Sequence, residues 1–280
     1  MVDSIGLYPS ARIRQIPLFG YNLWHSPAQS VEMADFRKLN RDNPSASAPP
    51  SARNTIYFVD FDHTISRRDV WDAIVKTCAP DVWLRVIKRY IRGEISSREC
   101  NLELAQSLRV PERQARELAE SIGIDPTFHA FADWVRAHES RMLILSDGYD
   151  YYIDLLLRNE GLESIPRYCN RMVWTGDKIQ VEFPLYRKEC ERDMAHCKCQ
   201  HVLPVREWRR VYIGDGVSDT CAASKCDFVY AKRDLLDFCL KNRMAHCPFE
   251  DFQRIIENET AWFGQVRADA GLAGGAREGS

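Results

Sequence analysis

The 280-residue chain has no apolar run near the roughly 18 residues that a bilayer-spanning helix needs, which argues against a helical membrane protein. Its first twenty residues, MVDSIGLYPSARIRQIPLFG, lack a basic segment followed by an apolar one and do not read as a secretory signal. Neither sign of charge is in excess. The 38 Lys and Arg against 40 Asp and Glu leave a net charge of -2, so no overall field draws the chain to nucleic acid or to an anionic membrane. There is no internal repeat, which excludes a solenoid. Paired C-x2-C spacing is also missing from the ten cysteines, Cys78, Cys100, Cys169, Cys190, Cys197, Cys199, Cys221, Cys226, Cys239 and Cys247. With no signal segment, these read as reduced thiols in a cytoplasmic protein rather than as a disulfide framework.

What is present is an ordinary globular composition, 45% hydrophobic and 28% charged, long enough for one large domain or one domain carrying an insertion. Residues 1–53 read as an N-terminal extension ending in a flexible linker, NPSASAPPSAR. A short helix there is expected from Ser26-Pro27 to about Lys38. Thr55 to Asp60 is a continuous apolar run of strand-forming residues, and RMLILSDG, RRVYIGDG and DFVYA are three more. Helical patterns fill about 69 to 138. They include a capping box, Ser96 with Glu99, and a helix opened by Pro111 and closed by Gly123. RMVWTGDKIQVEF, within a hairpin expected near 170–184, alternates on both arms around a Gly-Asp turn. Strands alternating with helices imply an α/β fold: a doubly wound, mostly parallel, Rossmann-like sheet. The core is expected over 54–65 and 131–262, a helical cap over 66–130, and a flexible tail over 263–280.

Three of the strands end in polar clusters: Asp60-Phe61-Asp62, Ser146-Asp147-Gly148 and Gly214-Asp215-Gly216. In open parallel sheets ligands bind beyond the carboxyl ends of the strands, so the three clusters are expected to meet at one edge. Buried carboxylates need a cation or dense hydrogen bonding. Asp60, Asp62, Asp215 and Asp219 together suggest a hard, oxygen-seeking cation, for which Mg²⁺ with a substrate phosphate is the natural choice. Ser146, the amides of Asp147 and Gly148 and a lysine can then cradle the other phosphate oxygens.

In their order, DFDHTI, ILSDG, a lysine and IGDGVSD resemble the four motifs of the haloacid dehalogenase superfamily of phosphohydrolases, over residues 55 to about 240. The resemblance implies that Asp60 is the nucleophile, forming an aspartyl-phosphate, and that Asp62 protonates the leaving oxygen and then activates water. It implies that Thr64 fixes the loop, that Ser146 bonds the phosphoryl group, that Asp215 binds Mg²⁺ with Asp60 and the Asp62 carbonyl, and that Asp219 supports the metal shell. The motif lysine is Lys188 or Lys198. Lys198 is preferred, because it lies 17 residues before Asp215 and follows a cysteine, as in the nearest subgroup. His63 stands where the family more often has glycine.

The long helical insertion resembles the phosphoserine-phosphatase-like branch of the superfamily. RGEISSREC, IDPTFHAF, SDGYDYYI and the hairpin resemble more closely its methionine-salvage enol-phosphate phosphatase group. This implies a small phosphorylated metabolite as partner, with His63, Arg67 and Asp69 as candidate substrate contacts, and leaves the oligomeric state open. Transfer to an acceptor other than water, and a non-catalytic binding protein on the same fold, are the competing readings. CERDMAHCKCQH offers zinc ligands in Cys190, His196, Cys197, Cys199 and His201, although a loop that simply carries Lys198 is the plainer expectation. The basic stretch RVIKRYIRG reads as a solvated helix face.

Overall fold

A computed structural model describes residues 54–190 and 192–275, with side chains up to 266. The expected N-terminal extension lies outside them. Strand β1 (Thr55–Val59) is followed by four helices, α1 (Val70–Cys78), α2 (Pro80–Ile91), α3 (Ser97–Ser107) and α4 (Glu112–Ile122). The chain continues through α5 (Phe128–Ala137), β2 (Arg141–Tyr149), α6 (Asp150–Asn159), β3 (Arg167–Thr175) and β4 (Lys178–Glu182). After these come α7 (Cys199–Val202), β5 (Arg209–Gly214), a 3-10 turn at Val217–Asp219, α8 (Thr220–Ala223), β6 (Phe228–Ala231), α9 (Arg233–Lys241), β7 (His246–Pro248) and α10 (Phe252–Gly275).

The sheet has the order β4-β3-β2-β1-β5-β6-β7, parallel except for β4, which closes an antiparallel hairpin on β3. The chain builds outward from β1 in one direction and then in the other, so the topological switch lies beside β1. Period-two alternation decides which side chain meets which layer. Tyr57 and Val59 pack with Phe131, Phe252 and Ile255 beneath α5 and α10. Ile56 and Phe58 pack with Val202, Ala222 and Leu235 beneath α7, α8 and α9.

The helical insertion begins and ends at one place. Asp125 N–H donates to the Ile65 carbonyl at 2.8 Å, and Arg67 N–H to that of Gly123. Each expected cap is present: Ser96 and Glu99 form a reciprocal capping box, and Gly123 closes α4 at φ 63°. The Gly176-Asp177 turn also forms, with Gly176 at φ 67°. Two expectations differ from the structure. The strand expected to end at Ser146 runs on to Tyr149, with a register shift against β3 between Leu145 and Tyr149, where Ser146, Asp147 and Gly148 sit. The tail expected to be loose from 263 is helical to Gly275 as part of α10. That helix is seated at its start by Phe252 and Ile255. Among the described residues no helix is long and apolar enough to cross a membrane.

Candidate active site

The site grows from the end of β1. Asp60 N–H donates to the Ile213 carbonyl on β5 at 2.9 Å, which fixes the first residue beyond the strand next to Asp215. Asp60, Asp215 and Asp219 lie together with carboxylate oxygens within 4.8 Å of one another, and all three are buried. Lys198 Nζ sits among them, 2.6 Å from Asp60 Oδ1 and 2.6 Å from Asp219 Oδ1. Its own exposure is 2%, while Lys188 is exposed, so Lys198 is the lysine the fold brings to the carboxylates.

The three carboxylates are not equivalent. Asp219 accepts from Lys198, from the Tyr212 hydroxyl at 2.7 Å and from the amides of Asp215 and Gly216 at 3.1 and 3.0 Å. Its lone pairs are spent holding the turn after β5, and it is a supporting residue. Gly214 is required beneath it, since a Cβ there would come within 2.5 Å of Asp219 Oδ2. The Asp215 carboxylate pairs with the Arg233 Nε at 3.4 Å. Burial, then the Asp219 charge, push Asp60 up to about 7 against the pull of Lys198. Burial and the Asp60 and Asp219 charges push Asp215 up to about 8. Burial pulls the Lys198 ammonium down, but Asp219 and Asp60 outweigh it and hold the proton firmly. One lysine faces three acids. A cluster of hard oxygen donors short of positive charge fits a small divalent cation, which Asp60 and Asp215 could hold.

Asp62 is set apart from that trio. Its Oδ1 accepts from the Val70 N–H at the start of α1, 2.9 Å, and its Oδ2 from the Tyr152 hydroxyl, 2.8 Å. Burial, with the Asp69 charge beside it, raises its pKa well above the usual carboxylate range. Both of its carboxylate oxygens are engaged away from the trio, and the raised pKa makes it a carboxyl group that can hold a proton. Ser146 is fully buried, and its Oγ accepts from the Gly148 N–H at 2.9 Å. Gly148 has no room for a side chain, because a Cβ would meet Tyr152 Oη at 2.0 Å and Asp62 Oδ2 at 2.5 Å. Thr64 is buried with an unpartnered hydroxyl in the loop that β1 feeds.

These groups line a cavity of about 340 Å³ between the sheet edge and the helical insertion. Its inner wall is Asp60, Asp62, Ser146, Gly148 and Asp215; its outer wall includes Trp71, Trp83, Ile87, Tyr90, Leu104 and Met194. Asp69 reaches the cavity while capping α1 through the Asp72 amide at 2.7 Å. His63 also lines it, with φ 57° in the left-handed region that favours glycine. Burial and nearby Arg233 lower the His63 pKa to about 4, so the ring is neutral at pH 7.

One expected contact is placed elsewhere. Arg67 is exposed, and its Nε donates to the Ile124 carbonyl at the base of the insertion, away from the cavity lining. Asp147 lines the cavity beside Ser146, while its carboxylate is taken up by Ser97, Asn170 and the His196 amide. The Cys/His stretch forms no metal-type cluster among the described residues. His196 and His201 bond each other through Nε2 at 3.0 Å, and Cys199 lies against Cys221. Tyr152, Tyr212 and Arg233 escape sequence reasoning. The tyrosines sit in apolar strand and helix patterns that signal core packing, and nothing local marks their hydroxyls.

Fold and site define the class: a phosphatase built on a Rossmann-like sheet with a helical cap. A family model described as haloacid dehalogenase-like hydrolase matches residues 57–224, and the chain belongs to that family. The 2-hydroxy-3-keto-5-methylthiopentenyl-1-phosphate phosphatase of Brevibacillus brevis is 28% identical over 213 residues, covering 73% of this chain and 95% of the relative. The protein of that name from Bacillus pumilus is 29% identical over 209 residues, covering 71% and 88%. Among solved structures, a phospho-aspartyl intermediate analogue of phosphoserine phosphatase superposes with a TM-score of 0.58 at 17% identity, over 74% of this chain and 99% of that one. A hydrolase of the family from Salmonella enterica serovar Typhi gives 0.59 at 12% identity, over 82% and 81%. These two likenesses concern the fold.

Proposed function

We propose that the protein is a Mg²⁺-dependent phosphomonoesterase of a small metabolite, working through an aspartyl-phosphate on Asp60. The observation that carries this is the division of labour at the end of β1. Asp60 lies among Lys198, Asp215 and Asp219, while Asp62, two residues on, is held apart by Tyr152 and Val70 with its pKa raised. This division supports Asp60 as the attacking carboxylate and Asp62 as the proton carrier.

Asp60 and Asp215 would hold the cation with the Asp62 carbonyl, and Mg²⁺ supplies the positive charge that lets a carboxylate approach a phosphate dianion. Asp60 attacks phosphorus, and the ester oxygen leaves with the proton of Asp62. Asp62, now ionised, takes a proton from the water that hydrolyses the aspartyl-phosphate. Lys198 and Ser146, with the amides after it, steady the phosphoryl oxygens. Thr64 keeps the loop in place.

The outer wall supports a leaving group that carries no negative charge and is partly apolar. Among the described residues Arg233 is the one Lys or Arg side chain lining the cavity, and it stands beside Asp215 on the inner side. A carboxylate on the leaving group would find no counter-ion on the aromatic wall. A thioether would pack well there, which favours the phosphorylated methylthio-pentenyl ester for which the curated relatives are named. The ten unbridged cysteines suit a reducing cytoplasm.

The test is phosphate release from a panel of phosphomonoesters, with and without Mg²⁺, for wild type and Asp60→Asn. Phosphoserine, phosphocholine, sugar phosphates and the methylthio-pentenyl ester would be included. Mg²⁺-dependent release, fastest on the methylthio-pentenyl ester and lost in the variant, is expected. Equal release by wild type and Asp60→Asn would overturn the role of Asp60.

A further inference from the structure

Asp147 follows Ser146 in the SDG cluster, where its amide was expected to meet the phosphate. The structure gives its carboxylate other partners, from three separate parts of the chain. Oδ2 accepts from the Ser97 hydroxyl at 2.9 Å, at the first residue of α3 in the cap. Oδ1 accepts from the His196 amide at 2.7 Å, two residues before Lys198, and from Asn170 Nδ2 on β3 at 3.3 Å. Asn170 Nδ2 also donates to the Asp147 carbonyl at 2.7 Å. All these partners present donors, so a carboxylate, which only accepts, satisfies them together. A negative group aimed at a phosphate dianion would instead repel it.

A second strut joins the same parts. His196 Nδ1 lies 2.7 Å from the Ser146 carbonyl oxygen and so carries the proton, and its Nε2 accepts from His201 Nε2. The segment that presents Lys198 is thus tied twice to the last part of β2. On the cap side, the Tyr149 hydroxyl donates to Asn101 Oδ1 at 2.9 Å, one turn along α3 from Ser97. The carboxylate of Asp147 is the shared partner of Ser97 and His196.

We infer that Asp147 is a positioning residue that couples the seating of the cap, through α3, to the placement of Lys198. Cap closure and assembly of the phosphoryl-binding groups then form one event. The kinetic side of this inference rests on the phosphatase mechanism proposed above; the structural side does not.

Two measurements on the full chain test it: hydrogen exchange over 97–101 and 194–200, and steady-state hydrolysis of p-nitrophenyl phosphate with Mg²⁺. Asp147→Ala is expected to raise exchange in both segments and to lower kcat by about 100-fold, the usual cost of a misplaced catalytic group. Asp147→Asn is expected to restore most of both. Its amide oxygen can accept from His196 while its amide nitrogen donates to the Ser97 hydroxyl. Ser97→Ala leaves the carboxylate and His196 intact, yet exchange at 194–200 should still rise and KM should increase more than kcat falls.

Unchanged exchange at 194–200 in Ser97→Ala would overturn the coupling, and this variant decides the matter even if Asp147→Ala fails to fold. Asp147→Asn as damaged as Asp147→Ala would also overturn it, by making the charge rather than the hydrogen bonds the essential property. A wild type inert toward every phosphomonoester would sink the mechanism alone, because the exchange results would still decide the coupling.

Discussion

Strand β1 leads to two buried groups of acids and cations, and they differ in one respect. From its middle, the Tyr57 hydroxyl donates to Glu259 on α10 at 2.5 Å. The Glu259 carboxylate also accepts from Arg209 at 2.7 and 3.0 Å and from the Tyr230 hydroxyl at 2.9 Å, with Arg209 stacked on Trp262. One anion meets one cation there, and both carboxylate oxygens are used. Three residues further on, Asp60 joins Asp215 and Asp219 around a single lysine. The first group is complete and fastens α10 to the sheet. The second is short of positive charge, and burial makes that shortage expensive. A balanced buried pair serves structure, whereas an unbalanced one marks the place where a ligand supplies what is missing.

The comparison can be broken most severely on its balanced side. Glu259→Gln leaves Arg209 buried without its counter-charge, and breaking a buried pair in this way costs about 3–5 kcal/mol. Urea unfolding should show that loss, while turnover per folded molecule stays at the wild-type level. A fall in turnover with an unchanged midpoint would contradict the assignment of this network to stability.

A smaller effect belongs to the unbalanced side. Asp60 at about 7 and Asp215 at about 8 lie above the unfolded value of 3.8, so the folded chain holds protons that the unfolded chain has released. Their contribution to stability is therefore lost as pH rises from about 4 to about 8 in the cation-free protein. Melting temperatures with EDTA should fall across this window, and saturating Mg²⁺ should flatten the slope. Equal slopes with and without Mg²⁺ would separate these carboxylates from the cation.

The smallest expected effect is at His63. Its φ of 57° costs a non-glycine residue about 1–2 kcal/mol, and glycine gives back about 0.5–1 kcal/mol of that in chain entropy. His63→Gly should stabilise the protein by about 0.5 kcal/mol net, read as a small rise in melting temperature. A lower melting temperature would mean that the imidazole contributes packing at the cavity mouth.

Much of this was legible from the chain alone, because it rests on local patterns. Tyr57 and Val59 facing one layer, and Ile56 and Phe58 the other, follow from the period of a strand. The capping box at Ser96, the stop at Gly123 and the hairpin at Gly176-Asp177 follow from backbone chemistry within a few residues. The convergence of Asp60, Ser146 and Asp215 follows from parallel strands, whose carboxyl ends share one edge. Arg67 marks the limit. It was a reasonable contact by position, but it found a stronger partner in the Ile124 carbonyl.

The sequence by itself determined the strands, the helices and the acids at the strand ends, since propensity, periodicity and capping act between near neighbours. Only the tertiary structure decided which of those acids would be satisfied. Tyr57 and Glu259 are 202 residues apart, Lys198 and Asp60 are 138, and Tyr152 and Asp62 are 90. Whether a buried carboxylate ends as a strut or as a reactive group depends on which donors the folded chain carries to it.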